Sequence, residues 1–109
     1  MINRKIVSEF ANIIGYIDIV LSFDGFDDTK DRYMKIKKIL LDWANKYYKF
    51  KSFNFISYDE SYKIHEELQD IRDIKIYDKN LGMESMITDD IFIKYEVIVK
   101  LINEEKKTS

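Results

Sequence analysis

Cysteine is absent from this chain, which removes disulfides, thiolate nucleophiles and cysteine-ligated metals from consideration. Proline is absent as well, so nothing in the sequence forces a helix to kink or stop. Histidine occurs once (His65), tryptophan once (Trp43) and glycine three times, and there are only two alanines, Ala11 and Ala44. No uninterrupted apolar run reaches the roughly 18 residues that a membrane-crossing helix needs. The start, Met1-Ile2-Asn3-Arg4-Lys5, is basic, but Ser8, Glu9 and Asn12 break the apolar stretch behind it and no small-residue cleavage site follows. No signal peptide is expected, and the cytoplasm is the expected compartment.

The same poverty empties the catalytic checklist. There is no G-x-S-x-G, no glycine-rich phosphate loop and no E-x-x-H. Asp24, Asp27, Asp28 and Asp31 gather around Gly25, yet their order lacks the alternating carboxylates, the sixth-position glycine and the final glutamate of a calcium loop. They read as helix caps and solvated acids, and so do Asp89 and Asp90. His65 has Glu66 and Glu67 beside it in sequence, but neighbours on a helix point about 100° apart. One turn away stand Ser61 and Gln69, not carboxylates. His65 therefore reads as a surface or boundary residue. The expectation is a non-enzyme with no cofactor and no metal.

What is present is a globular composition. Of 109 residues, 46% are hydrophobic and 35% charged, enough for one domain over 1–109 to bury a core. More than half of the chain is Phe, Tyr, Met, Ile, Asn and Lys, all written with AT-rich codons, so part of the lysine content is a codon effect. The sorting of charge is more informative. Residues 28–51 carry eight basic groups against three acidic ones, a net of +5. Residues 52–90 carry ten acidic against four basic, a net of −6. The overall −2 conceals two opposed blocks, and such a field can steer a charged partner.

Apolar spacing supplies the architecture. Tyr33, Ile36, Leu40, Trp43, Tyr47 and Phe50 recur every three or four residues, one stripe of a helix over 28–50. Asp27, Asp28 or Thr29 can cap its start, and Lys46, Lys49 and Lys51 suit its C-terminal end. Ile2, Ile6, Phe10, Ile13, Ile17 and Val20 or Leu21 predict a first helix over about 2–23, with Gly25 as its stop. Ser57-Tyr58-Asp59-Glu60 has the form of a capping box and opens a third helix over 58–78 with Ile64, Leu68 and Ile71 on one face. Ile91, Phe92, Tyr95, Ile98, Val99 and Ile102 mark a fourth over 89–105, with Thr88-Asp89-Asp90 at its start. Short connections make an antiparallel four-helix bundle the expected all-α fold. The alternative is α+β, with strands near 16–23, 51–57, 74–78 and 91–101, because two of those segments also alternate strictly.

Two surfaces remain as binding candidates. The helix over 28–51 turns Arg32, Lys35, Lys38, Lys46 and Lys49 away from its aromatic stripe, a face that could meet phosphates. No nucleic-acid motif accompanies it, and its aromatic residues belong to the core stripe. The second candidate is acidic: Asp59, Glu60, Glu66, Glu67, Asp70, Asp73 and Asp78, interleaved with Tyr58, Tyr62 and Tyr77. Like charges one helical turn apart repel, and a cationic partner would relieve that repulsion while tyrosines anchor it. In size, charge and composition the chain looks like the small proteins that neutralise a cognate secreted toxin in bacteria, often a nuclease. The expected function is thus an immunity-type inhibitor that fills a basic active site with carboxylates. Alternatives are a nucleic-acid-associated or regulatory protein acting through the lysine-rich helix, and a subunit whose apolar face is completed by another chain or by a second copy.

Overall fold

Four helices account for nearly all of the residues described by the computed structural model, which are 3–49, 55–75 and 81–108. They are α1 (Arg4–Ser22), α2 (Lys30–Lys49), α3 (Tyr58–Lys75) and α4 (Leu81–Thr108). Each packs on two others: α1 on α2 and α4, and α3 on α2 and α4. The result is an up-down-up-down bundle measuring 47 × 24 × 18 Å, its long axis set by the 28 residues of α4 at about 1.5 Å each. No strand occurs among the described residues. The α+β alternative fails at 16–23 and 91–101, which hold no strand: burial follows the helical period of Ile17 and Val20 and of Ile91, Tyr95 and Ile98, while the alternating Ile19, Phe23, Ile93 and Val97 are exposed. Positions 51–54 and 76–78 lie outside the described residues. Nor is any described helix long and apolar enough to cross a membrane.

The core follows the stripes read from the sequence, except that Phe92 is exposed and that Ile2 and Phe50 lie outside the described residues. Ile6, Phe10, Ile13 and Ile17 from α1 meet Tyr33, Ile36, Leu40, Trp43 and Tyr47 from α2. Ile64, Leu68 and Ile71 from α3 and Ile91, Tyr95, Ile98 and Ile102 from α4 close the other half. Helix ends explain the boundaries. Asn3 caps α1 through its side chain, which accepts from the Lys5 amide at 2.9 Å. Gly25, at φ 94°, makes the turn after α1 in the left-handed region that glycine enters without strain. Ser57 caps α3, accepting from the Glu60 amide at 3.1 Å.

One boundary differs from expectation. Helix α4 begins at Leu81, about two turns before the expected start near 89. The Thr88-Asp89-Asp90 run lies inside the helix because its polar atoms bond sideways rather than to helix-end amides. Asp89 receives Arg72 of α3, Asp90 receives the Tyr16 hydroxyl of α1 at 2.9 Å, and Thr88 donates to the Ser85 carbonyl. The extra turns bury Glu84, whose carboxylate accepts from the Tyr33 hydroxyl and from Thr29 at 3.2 Å. Thr29, expected as a cap, uses its hydroxyl on Glu84 and the Phe26 carbonyl instead.

Candidate functional site

Helical phase divides α3 into four stripes. Ile64, Leu68, Ile71 and the stem of Lys75 point into the core. Glu67 and Asp70 turn toward α2, where Arg32 forms ion pairs with both, at 3.2 and 3.3 Å, and donates a hydrogen bond to Glu67. Lys75, 2% exposed, reaches Asp28 at 2.8 Å. Tyr62, His65, Gln69 and Arg72 turn toward α4. Asp59, Glu66 and Asp73, seven residues apart, share the outward stripe and are exposed.

The expected acidic ridge is therefore divided. Glu60 is held by Lys63 at 3.1 Å, and Glu67 and Asp70 are neutralised from the basic helix. Folding places the two opposed charge blocks side by side, so each consumes part of the other. Asp59 and Glu66 have no ion-pair partner among the described residues, and Asp73 accepts only from the Gln69 amide, at 3.1 Å. Tyr77 and Asp78 lie outside the described residues. On α2, Lys46 pairs with Asp42 at 3.1 Å, while Lys35, Lys38 and Lys49 are exposed without an ion pair among the described residues.

The tyrosines form something the sequence did not disclose. Tyr58, 77% exposed, stacks on Tyr62 with centroids 5.7 Å apart. The row continues through His65 at 5.4 Å to Phe92 of α4 at 5.9 Å, and from Phe92 to Tyr95 at 5.3 Å. These five rings line a groove between α3 and α4 with a cavity of about 440 Å³, which Ile56, Glu96, Val99 and Asn103 also border. A smaller cavity of about 220 Å³ continues past His65 and Phe92 to Gln69 and the Arg72–Asp89 pair. Asn103 ties the incoming chain to α4 by accepting from the Ile56 amide at 2.9 Å and donating to its carbonyl at 3.2 Å.

Comparison of the chain with protein-family models, curated proteins and solved structures finds no match in any of the three. The site must be read from its own chemistry.

That chemistry is anionic and aromatic. Burial pushes the pKa of the Tyr95 hydroxyl up, and the Glu96 carboxylate pushes it further, so it stays a neutral donor. Among the described residues no three His, Cys, Asp or Glu side chains gather as metal ligands would. Phe92 and Glu96 are the functional candidates the sequence reading missed. Phe92 was assigned to the core face, yet it stands 39% exposed at the groove's edge. The available signal was the stripe Thr88, Phe92, Glu96, Val99 and Asn103, offset by one position from the core stripe. The pairing of that stripe with Tyr58-Tyr62-His65 is a tertiary fact.

Proposed function

We propose that this chain is a small protein-binding inhibitor, of the bacterial immunity type, that docks its α3–α4 side on a basic partner such as a nuclease toxin. One observation carries the reading: an exposed aromatic row, Tyr58–Tyr62–His65–Phe92, runs beside the unpaired carboxylates Asp59 and Glu66. Aromatic side chains supply large contact area at small entropic loss, and the adjacent charge steers encounter. Carboxylates placed where a nuclease cleft receives phosphates would occlude it. The inhibitor would act by occupancy, with no chemistry of its own. The contact surface differs from the sequence expectation: Glu60, Glu67 and Asp70 support the fold, and Phe92 and Glu96 join the face.

The test is to isolate the partner from the native source with the tagged chain, identify it, and assay its activity with purified components. The wild-type chain should inhibit a basic, nuclease-type partner at equimolar ratio. The triple variant D59K/E66K/D73K should bind about two orders of magnitude more weakly, mainly through slower, less salt-sensitive association. Equal inhibition by that variant would overturn the acidic face. A gel shift with RNA or DNA that disappears in K35E/K38E/K49E would move the function to α2.

A further inference from the structure

We propose that the α3–α4 groove is a receptor for an arginine side chain, the anchor by which a cationic partner is held; this deepens the docking-face reading and rests on it. The end of the groove near Tyr58 offers two kinds of group. The nearly parallel rings of Tyr58 and Tyr62, 24° apart, form a π surface open to solvent. Beside them stand the Glu96 carboxylate, without an ion-pair partner among the described residues, and the Tyr95 hydroxyl. A π face and a carboxylate together select a cation.

No lysine or arginine among the described residues lines this part of the groove. Lys63 on α3 is turned to Glu60, Lys94 on α4 lies over the Tyr16 ring, and Lys100 borders the neighbouring hollow on the far side of Glu96. Arg72 lies at the opposite end of the groove, where Thr88 and Asp89 already accept its N–H groups. Asp59 and Glu66, on the outward stripe of the same helix, add to the local negative potential. A phosphate or carboxylate ligand would meet the Glu96 carboxylate here, with no cation among the described residues lining the groove itself. A purely apolar ligand would bury the Glu96 carboxylate without compensation.

Guanidinium fits better than ammonium. It is planar and weakly hydrated, so it stacks on a tyrosine ring while its edge still donates to a carboxylate. A cavity of about 440 Å³ leaves room for the side chain's methylenes against Ile56 and Val99.

The experiment titrates the isotope-labelled full chain with the blocked peptide Gly-Ala-Arg-Ala-Gly and with its citrulline analogue, which keeps the shape and removes the charge. Following amide shifts by NMR, the arginine peptide should give saturable changes focused on residues 58–65 and 92–103. The citrulline peptide should bind about fivefold more weakly, the size of one partly desolvated cation–π contact. E96Q should weaken the arginine peptide several-fold, and H65K, which fixes a positive charge mid-groove, should abolish binding. Equal binding of both peptides overturns the proposal, as do shifts confined to the outward stripe with none at Phe92 or Tyr95. If the peptide fails while D59K/E66K/D73K still abolishes partner inhibition, the docking face stands and the arginine anchor falls. If the peptide binds in the groove while that variant inhibits normally, the reverse holds.

Discussion

Along its edge with α2, helix α3 commits its carboxylates to ion pairs, whereas along its edge with α4 it leaves a row of aromatic rings open to solvent. The first edge is closed by Arg32 on Glu67 and Asp70 and by Lys75 on Asp28. The second is bordered by the outward stripe of Asp59, Glu66 and Asp73, which no lysine or arginine among the described residues quenches. Both edges come from one acidic segment of the sequence. What separates them is helical phase, about 100° per residue, and the identity of the neighbouring helix. Clustered charge in a sequence thus says little about a binding face until the share consumed by packing is subtracted.

The largest effect should come from the bundle end where α4 meets the start of α2, at the buried carboxylate of Glu84. Glu84 is fully buried and accepts from Tyr33 and Thr29. Glu84→Ala should destabilise the bundle by about 3 kcal/mol, because it leaves the buried Tyr33 hydroxyl without its acceptor, leaves Thr29 only the Phe26 carbonyl, and opens a void. Glu84→Gln, which keeps an acceptor, should lose about half of that. Urea unfolding followed by the fluorescence of Trp43, buried in the core, reads both. Equal losses for Ala and Gln would show that packing, not hydrogen bonding, holds this end.

Alkaline pH probes the same interior next in size. Burial and then the Glu84 carboxylate raise the Tyr33 pKa, burial and Glu96 raise that of Tyr95, and burial with the Asp90 hydrogen bond pushes Tyr16 up to about 12. In the unfolded chain these phenols ionise near pH 10 while the folded protein retains their protons. The stability they contribute is complete below pH 10 and is lost as pH rises, for Tyr16 between 10 and about 12. From pH 10 to 11 Tyr33 and Tyr95 should each withdraw about 1 kcal/mol, and Tyr16, partly reached by solvent, less. Tyr33→Phe should flatten the decline of unfolding free energy over that window. An unchanged slope would mean that the Tyr33 phenol ionises equally in both states.

Most of the fold could be read from the sequence, because a fully buried residue repeats at the helical period whatever its partner. The stripe from Tyr33 to Tyr47 and the capping box at Ser57 needed no tertiary knowledge. The early start of α4 did: Thr88 reads as part of a helix start and Glu84 has no assigned role until Tyr33 and Arg72 are placed against them. For the candidate site, Tyr58, Tyr62, Asp59 and Glu66 were legible and lie where a partner could reach them. Glu67 and Asp70 looked equivalent, but which acids face α2 depends on a helix some 35 residues away in sequence. Phe92 was hidden for the same reason, since a ring at the edge of a core stripe becomes a groove wall only when another helix brings Tyr62 and His65 to it.

A smaller effect tests whether the closed edge is held by its charges. Arg32 bridges Glu67 and Asp70 with its side chain about one-third exposed. Arg32→Ala should cost about 1.5 kcal/mol, above the usual surface ion pair because one cation serves two anions that repel once it is gone. In 1 M salt the difference from wild type should shrink to about half, as screening weakens both the attraction and the repulsion. A loss that does not change with salt would assign Arg32 to packing alone.

The finest test uses two adjacent residues of identical chemistry. Glu66 points outward without an ion pair among the described residues, and Glu67, with 17% of its side chain exposed, receives Arg32 at 3.2 Å. Glu67→Gln removes a charge-assisted bond from a half-buried seam and should cost about 1 kcal/mol. Glu66→Gln removes a carboxylate one turn from Asp70 and seven residues from both Asp59 and Asp73, so it relieves repulsion. Its effect on stability should lie between zero and a gain of about 0.3 kcal/mol. The order reverses for function: Glu66→Gln should weaken partner inhibition, while Glu67→Gln should leave it within about twofold at temperatures where the bundle stays folded. If the two variants instead move stability and inhibition together, α3 does not have separate structural and binding edges, and its carboxylates act as one undivided field.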